Sequence, residues 1–169
     1  MDKGFWRTWA GQVSRDVPSG FNWHKEAQNW TGLDYTFKES SLQPLMETKA
    51  AVQLGTLGGG NHFMEAQVDE NSYIWLMVHS GSRRTGLEIA NHYHKLAIEE
   101  SALRGLDTPK DVASLSTNEQ TGNDYWHDMV WALSFARENR LRMLKKMAAA
   151  FFNQAHVLVN DHYVEDLRI

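Results

Sequence analysis

Leu54-Gly-Thr-Leu-Gly-Gly-Gly-Asn-His-Phe-Met-Glu-Ala-Gln-Val-Asp-Glu-Asn-Ser-Tyr-Ile-Trp-Leu-Met-Val-His79 is the stretch whose reading decides the fold. Four of the six residues from Gly55 to Gly60 are glycine. Such a run cannot sit in a helix interior, so it is a loop whose backbone takes special angles or approaches something closely. After it, Phe63-Met-Glu-Ala-Gln-Val alternates as a strand does, Asp69-Glu-Asn-Ser is turn chemistry, and Tyr73-Ile-Trp-Leu-Met-Val-His is rich in strand formers. The pattern predicts a hairpin. A two-residue turn at Glu70-Asn71 would set His62 directly opposite His79. Their Cβ atoms would then lie about 4.5–5.5 Å apart. Two imidazoles at that separation can converge on one metal ion at roughly 2.0–2.1 Å per bond, or hold two neighbouring ions. A register slip of one residue would send them to opposite faces.

Outward from the hairpin, helical spacing dominates. Residues 3–13 and 45–52 read as short helical segments. A second small-residue loop, Ser80-Gly-Ser-Arg-Arg-Thr-Gly86, leads to a helix over 87–103 with Leu87, Ala90, Tyr93, Leu96 and Ala97 at helical spacing. Residues 105–122 are a polar connection, after which Asp124 is placed to cap a long helix running to about Asn153. Its apolar positions include Met129, Leu133, Ala136, Leu141, Leu144, Met147 and Phe151, and residues 157–169 read as one more short strand. The fold class is therefore α+β, in a single segment spanning 1–169.

The 169 residues amount to one domain's length, and their hydrophobic share of 42% rules out a disordered or collagen-like chain. There is no cysteine, which excludes a disulfide framework, a thiolate zinc site and a cysteine nucleophile. With 17 basic against 21 acidic side chains the net charge is -4, so this is not a dedicated nucleic-acid module and any RNA contact is local. No apolar run reaches the roughly 18 residues of a membrane span, and the first residues do not resemble a secretory signal. The cytoplasm is the expected address.

Each histidine of the hairpin adjoins a small-residue loop that can turn backbone N–H groups toward phosphate oxygens. The second loop leads into a helix N-terminus, where Arg83 and Arg84 offer forked, charge-assisted donors. Metal ligands beside a phosphate cradle point to metal-assisted phosphoryl or nucleotidyl chemistry. Taken alone, a histidine at a strand end is more often a hydrogen-bonded structural residue, and a glycine cluster is usually a turn. His92 and His94, two apart on a helix, point in different directions and read as surface residues. Arg137, Arg140, Arg142, Lys145 and Lys146 read as a solvated helix face, with an RNA track as the alternative. The seven tryptophans read mostly as core.

Gly55-Thr-Leu-Gly-Gly-Gly-Asn-His-Phe-Met-Glu65, followed 17 residues after its histidine by His79-Ser-Gly-Ser-Arg83, resembles the paired signatures of the RtcB family of RNA ligases. Val17-Pro-Ser-Gly, Asp124-Tyr125 and Asn139-Arg140 have weaker counterparts at similar places. The resemblance implies an RtcB-like mixed α/β core with a central hairpin carrying the two histidines between long helices. It also implies a GTP- and Mn2+-dependent enzyme, the metal as two ions. Such an enzyme joins RNA 2′,3′-cyclic phosphate or 3′-phosphate ends to 5′-hydroxyl ends, in tRNA splicing or RNA repair. By the motif match, His62 and His79 would be manganese ligands, Asn61 would contact the nucleotide phosphate, and Phe63 and Glu65 would line the guanine pocket. Arg83 and Ser80 would lie near phosphate or RNA.

The family's upstream Asp-x-x-Cys motif, its downstream His-His-Asn motif and its guanylylated histidine have no match in these residues, although Asp161 could stand in for a metal histidine. The expectation is the middle of a longer ligase, inactive by itself and without its own covalent catalytic residue. Two rival expectations are a shortened, non-ligating metal or nucleotide-binding homologue and a metal-dependent phosphoesterase. Arg84 and Thr85 stand where the family usually has a glycine and an apolar residue. In an unbroken strand, His62 and Glu65 would point to opposite faces.

Overall fold

A computed structural model describes residues 2–107 and 109–155, so the strand expected at 157–169 and the candidate ligand Asp161 lie outside the described residues. The elements are α1 (Lys3–Asp16), a π-helical turn (Met46–Ala50) running into α2 (Ala51–Gln53), β1 (Phe63–Val68), β2 (Ile74–His79), α3 (Arg83–Leu103) and α4 (Gln120–Ala155). Short 3₁₀ turns occur at Thr31–Asp34, Ser40–Leu42 and Lys110–Val112. The fold is α+β. The described residues form two compact units: one holds 2–24, Gly55–Ser80 and 138–155, the other Lys25–Leu54 and the described residues of 81–137.

In the first unit, α1 starts at Asp2, whose Oδ1 accepts the N–H of Phe5 at 2.9 Å as an N-cap should. It buries Trp9 and Val13 with Met143, Met147 and Ala150 of α4. The Trp9 indole donates to the Met147 carbonyl at 3.0 Å, and the Lys146 ammonium donates to the Asp16 carbonyl at the C-terminal end of α1 at 2.6 Å. The hairpin lays Met64, Ala66, Leu76 and Val78 on this core. Its outer face carries Phe63, Glu65 and Gln67 opposite His79, Met77 and Trp75.

That pairing corrects the expected turn. Phe63, not His62, stands opposite His79. A two-residue loop of the favoured hairpin type needs positive φ at one or both central residues, commonly at a glycine, and Glu70-Asn71 supplies none. The chain instead closes a three-residue loop, Glu70–Ser72, in which only Ser72 takes a positive φ, of 68°. Asp69 holds this loop: its Oδ1 accepts from Asn71 N at 3.0 Å and Tyr73 N at 2.8 Å, and its Oδ2 accepts from the Trp75 indole at 2.9 Å. These bonds, the indole's first, hold the Asp69 carboxyl below the usual range.

In the second unit, Phe37, Leu42, Met46, Leu54, Ile89, Tyr93, Trp131 and Phe135 form the core. The α3 helix begins earlier than expected, inside the presumed loop, and its buried side is Thr85, Ile89, Tyr93, Ala97 and Ser101, while Leu87 is exposed. The α4 helix begins at Gln120, so Asp124 is not its cap but accepts from the Gln120 side chain at 2.8 Å. Leu133, expected inside, is 61% exposed, because the buried stripe runs through Trp131, Ala132, Phe135 and Ala136.

A fully buried carboxylate on that stripe organises this unit. Asp128 accepts from Tyr35 Oη at 3.0 Å, Lys38 N at 2.9 Å, Glu39 N at 3.4 Å and Tyr93 Oη at 2.9 Å. Burial first, and then the Asp128 carboxylate, pushes both tyrosines well above their ordinary pKa.

Asp128→Ala leaves four donors without their acceptor, and a loss of about 3 kcal/mol is expected in urea denaturation. Because the folded tyrosines keep protons that unfolded ones release, their contribution is intact below about pH 10 and falls as pH rises beyond it. Tyr93→Phe should therefore flatten the decline of the denaturation midpoint above pH ~10. The Thr85 hydroxyl is fully buried and makes no hydrogen bond among the described residues. Thr85→Val, which exchanges it for a methyl group, should raise stability by about 1 kcal/mol in the same assay.

Candidate metal and nucleotide site

The glycine-rich loop is held from two sides within the first unit. Leu57 N donates to the Pro18 carbonyl at 2.9 Å and Gly20 N to the Gly58 carbonyl at 2.8 Å, which gives the Val17-Pro-Ser-Gly stretch a structural task. From α4, Asn139, fully buried, accepts the N–H groups of Gly55 at 2.7 Å and Thr56 at 3.0 Å on Oδ1. Its Nδ2 donates to the Thr56 carbonyl at 3.1 Å and to Ser80 Oγ at 3.3 Å. Gly58 takes φ +94° in the loop, an angle that a side chain would disfavour.

The loop delivers Asn61, exposed in a turn, and then His62, which lies just before β1. Lying outside the strand, His62 is not bound by its alternation. Its ring approaches that of His79 to 6.0 Å between centroids, with 56° between planes, despite the one-residue difference in register. Phe63, Glu65 and His79 share the outer face. The expected conflict between His62 and Glu65 thus resolves by His62 leaving strand geometry. The Phe63 ring stacks on that of His79 at 5.3 Å and 12°. The Glu65 carboxylate accepts from Gln67 Nε2 at 2.6 Å.

Two imidazoles bound to one ion, each through a bond of about 2.1 Å, have ring centroids no more than roughly 6.6 Å apart. The His62–His79 spacing fits that limit, and neutral imidazole is a donor for first-row divalent ions. Among the described residues no third His, Asp, Glu or Cys joins them, so the described part of the chain groups two candidate donors there.

Ser80 is engaged structurally: its hydroxyl donates to the Leu57 carbonyl at 2.8 Å, and its carbonyl accepts from Arg140 Nη1 at 3.1 Å. Of the basic tract on α4, Arg140, Arg142 and Lys146 bond to Ser80, Glu138 and Asp16 respectively, leaving Arg137 and Lys145 exposed. In the second unit, Arg83 opens α3 with φ +57°, a left-handed angle unusual for a residue with a side chain. It is half-buried, which holds its guanidinium below the usual value, and it remains cationic. Arg84 N donates to Gln53 Oε1 at 3.2 Å, so a side chain from α2 caps the helix, and the Arg84 side chain pairs with Glu88 at 2.5 Å. His94 is exposed, and His92 faces Glu39 at 3.4 Å.

The roles of Asp69, Asp128 and Asn139 were not anticipated from sequence. The signal for the last two was available, since each is a polar residue on the apolar stripe of a long helix and therefore a buried group in need of partners.

A family model described as tRNA-splicing ligase RtcB matches residues 5–166. The chain is 34% identical over 125 residues to the RNA-splicing ligase RtcB of Escherichia coli (strain K12), covering 72% of this chain and 30% of that protein. It is 30% identical over 147 residues to the tRNA-splicing ligase RtcB of Aeropyrum pernix, covering 73% of this chain and 29% of that one. Over 171 residues it is 29% identical to the tRNA-splicing ligase RtcB of Pyrobaculum aerophilum, covering 87% of this chain and 34% of that one. The chain thus spans about a third of the length of these curated relatives. Among its described residues no helix is long and apolar enough to cross a membrane. With its histidine-bearing loops brought together by the hairpin and a family model matched along nearly its whole length, the chain belongs to the RtcB family.

Proposed function

We propose that the chain is the metal- and nucleotide-binding part of a GTP- and Mn2+-dependent RNA ligase. That enzyme would join RNA 2′,3′-cyclic phosphate or 3′-phosphate ends to 5′-hydroxyl ends in tRNA splicing or RNA repair. The observation that carries this reading is the approach of the His62 and His79 rings to 6.0 Å beside the glycine-rich loop. Membership in a family whose relatives are named RNA- and tRNA-splicing ligases supports it.

His62 and His79 would hold the ion, which when bound supplies Lewis-acid stabilisation of charge on a phosphoryl oxygen. An imidazole pair binds first-row divalent ions generally, and Mn2+ stands lowest in their usual affinity order. The exposed face of Phe63 offers a stacking surface to a base. On the same face, the Glu65 carboxylate can accept from the two ring-edge N–H donors that distinguish guanine. Asn61, next to His62, has an amide N–H to give to a phosphate oxygen, and Ser80 holds the chain after His79 in place. In the second unit, Arg83 is the residue assigned to phosphate or RNA. A strained, half-buried arginine is expensive for a fold to keep unless it is used.

His79→Ala should weaken Mn2+ binding at least tenfold in a titration followed by water-proton relaxation. Superimposable curves for the wild type and this variant would sink the metal assignment. Arg83→Gly tests the phosphate assignment and should gain stability. By removing the left-handed strain it should raise the unfolding free energy by about 1 kcal/mol. It should leave Mn2+ binding unchanged and weaken binding of a 3′-phosphate-ended RNA, measured by fluorescence anisotropy.

A further inference from the structure

A metal-bound histidine almost always has its second ring nitrogen tied to a carboxylate, carbonyl or water, which fixes the plane of the ring. Among the described residues no carboxylate or carbonyl ties the His79 imidazole, and its ring neighbours are those of Phe63 and His62. Phe63 is directly opposite it in the hairpin, so the two Cβ atoms are fixed side by side by the ladder. The rings lie 12° from parallel at 5.3 Å, in the offset manner that aromatic pairs favour. A residue 41% exposed, with one ring face on a histidine, contributes little to the core.

From this geometry we infer that Phe63 is a positioning residue for the metal site, setting the ring plane of His79 so that its nitrogen is presented toward His62. This role is separate from any contact between Phe63 and a base, and it rests on the reading of His79 as a ligand. The stacked ring does by packing what a hydrogen-bonded carboxylate does elsewhere: it restricts rotation about the His79 side chain without competing for its nitrogens. A flat ring is required, because an aliphatic side chain of similar bulk would fill the space and leave the imidazole free to turn.

The test is an Mn2+ titration of the wild type, Phe63→Leu, Phe63→Tyr and His79→Ala, each checked for an unchanged thermal midpoint. Histidine ring signals are followed in parallel by NMR. Phe63→Leu should lose about tenfold in Mn2+ affinity and shift the His79 signal even without metal, whereas Phe63→Tyr should keep both near wild type. If Phe63→Leu binds as the wild type does while His79→Ala does not, the inference about Phe63 falls and the metal reading stands. It falls equally if Phe63→Tyr is as weak as Phe63→Leu, since the ring plane would then not be what matters. If His79→Ala and the wild type superimpose, or neither takes up Mn2+, the metal reading itself fails and this inference with it.

Discussion

The carboxylate of Asp69 decides where the hairpin reverses, and the reversal decides which side chains share a face. By gathering two backbone N–H groups and the Trp75 indole, it makes a three-residue loop out of Glu70–Ser72, a sequence with no glycine to offer. That loop puts Phe63 opposite His79 and sends Met64, Ala66, Leu76 and Val78 inward. With the loop one residue shorter, the same strands would pair differently, and the inward side chains of one would share a face with the outward side chains of the other. The order of residues at the open end of the hairpin therefore follows from hydrogen bonds made at its closed end.

Much of this was legible in the sequence, and the misreadings have specific physical causes. Strand alternation in Phe63–Val68 and the run of strand formers before His79 located both strands to within a residue. The register was missed because the Asx-type bonds of Asp69 compete with a two-residue turn, and loop length cannot be read from the types Glu, Asn and Ser alone. The approach of His62 to His79 was still anticipated, though by a different route: His62 reaches across from outside the strand instead of facing its partner within it. Leu87 and Leu133 were placed inside because they are apolar at helical spacing. The structure buries Tyr93, Ala97, Ala136 and Met147 of the same pattern, but the stripes run on through Thr85, Ile89, Asp128, Phe135 and Asn139, whose polar members interrupt the apolar spacing. Polar residues that mark a buried stripe obscure it in a hydrophobicity reading while being its most constrained members.

Each of the two units thus has a polar centre supplied by α4, Asp128 in one and Asn139 in the other. A buried carboxylate or amide destabilises a fold unless its hydrogen-bonding capacity is used. Asp128 meets two hydroxyls and two backbone amides; Asn139 meets two amides, a carbonyl and a hydroxyl. Both hold irregular backbone: the 35–39 stretch in one case, the glycine-rich loop in the other. The helix supplies regularity where loops rich in glycine and turn residues have none of their own, and the apolar stripes around each centre keep water from competing for those bonds.

One consequence lies in the single side chain of Asn139, which holds both Gly55-Thr56 and Ser80. The loop before His62 and the residue after His79 are therefore not two independent flexible pieces that a ligand would have to gather. Their backbone entropy is surrendered when the first unit folds, so less remains to be lost on binding. Glycine, the residue with the most freedom to lose, is tolerable in such numbers here because that freedom is removed in advance. Of the affinity such a site loses to conformational ordering, more would come from exposed side chains such as Asn61 than from the backbone that carries them.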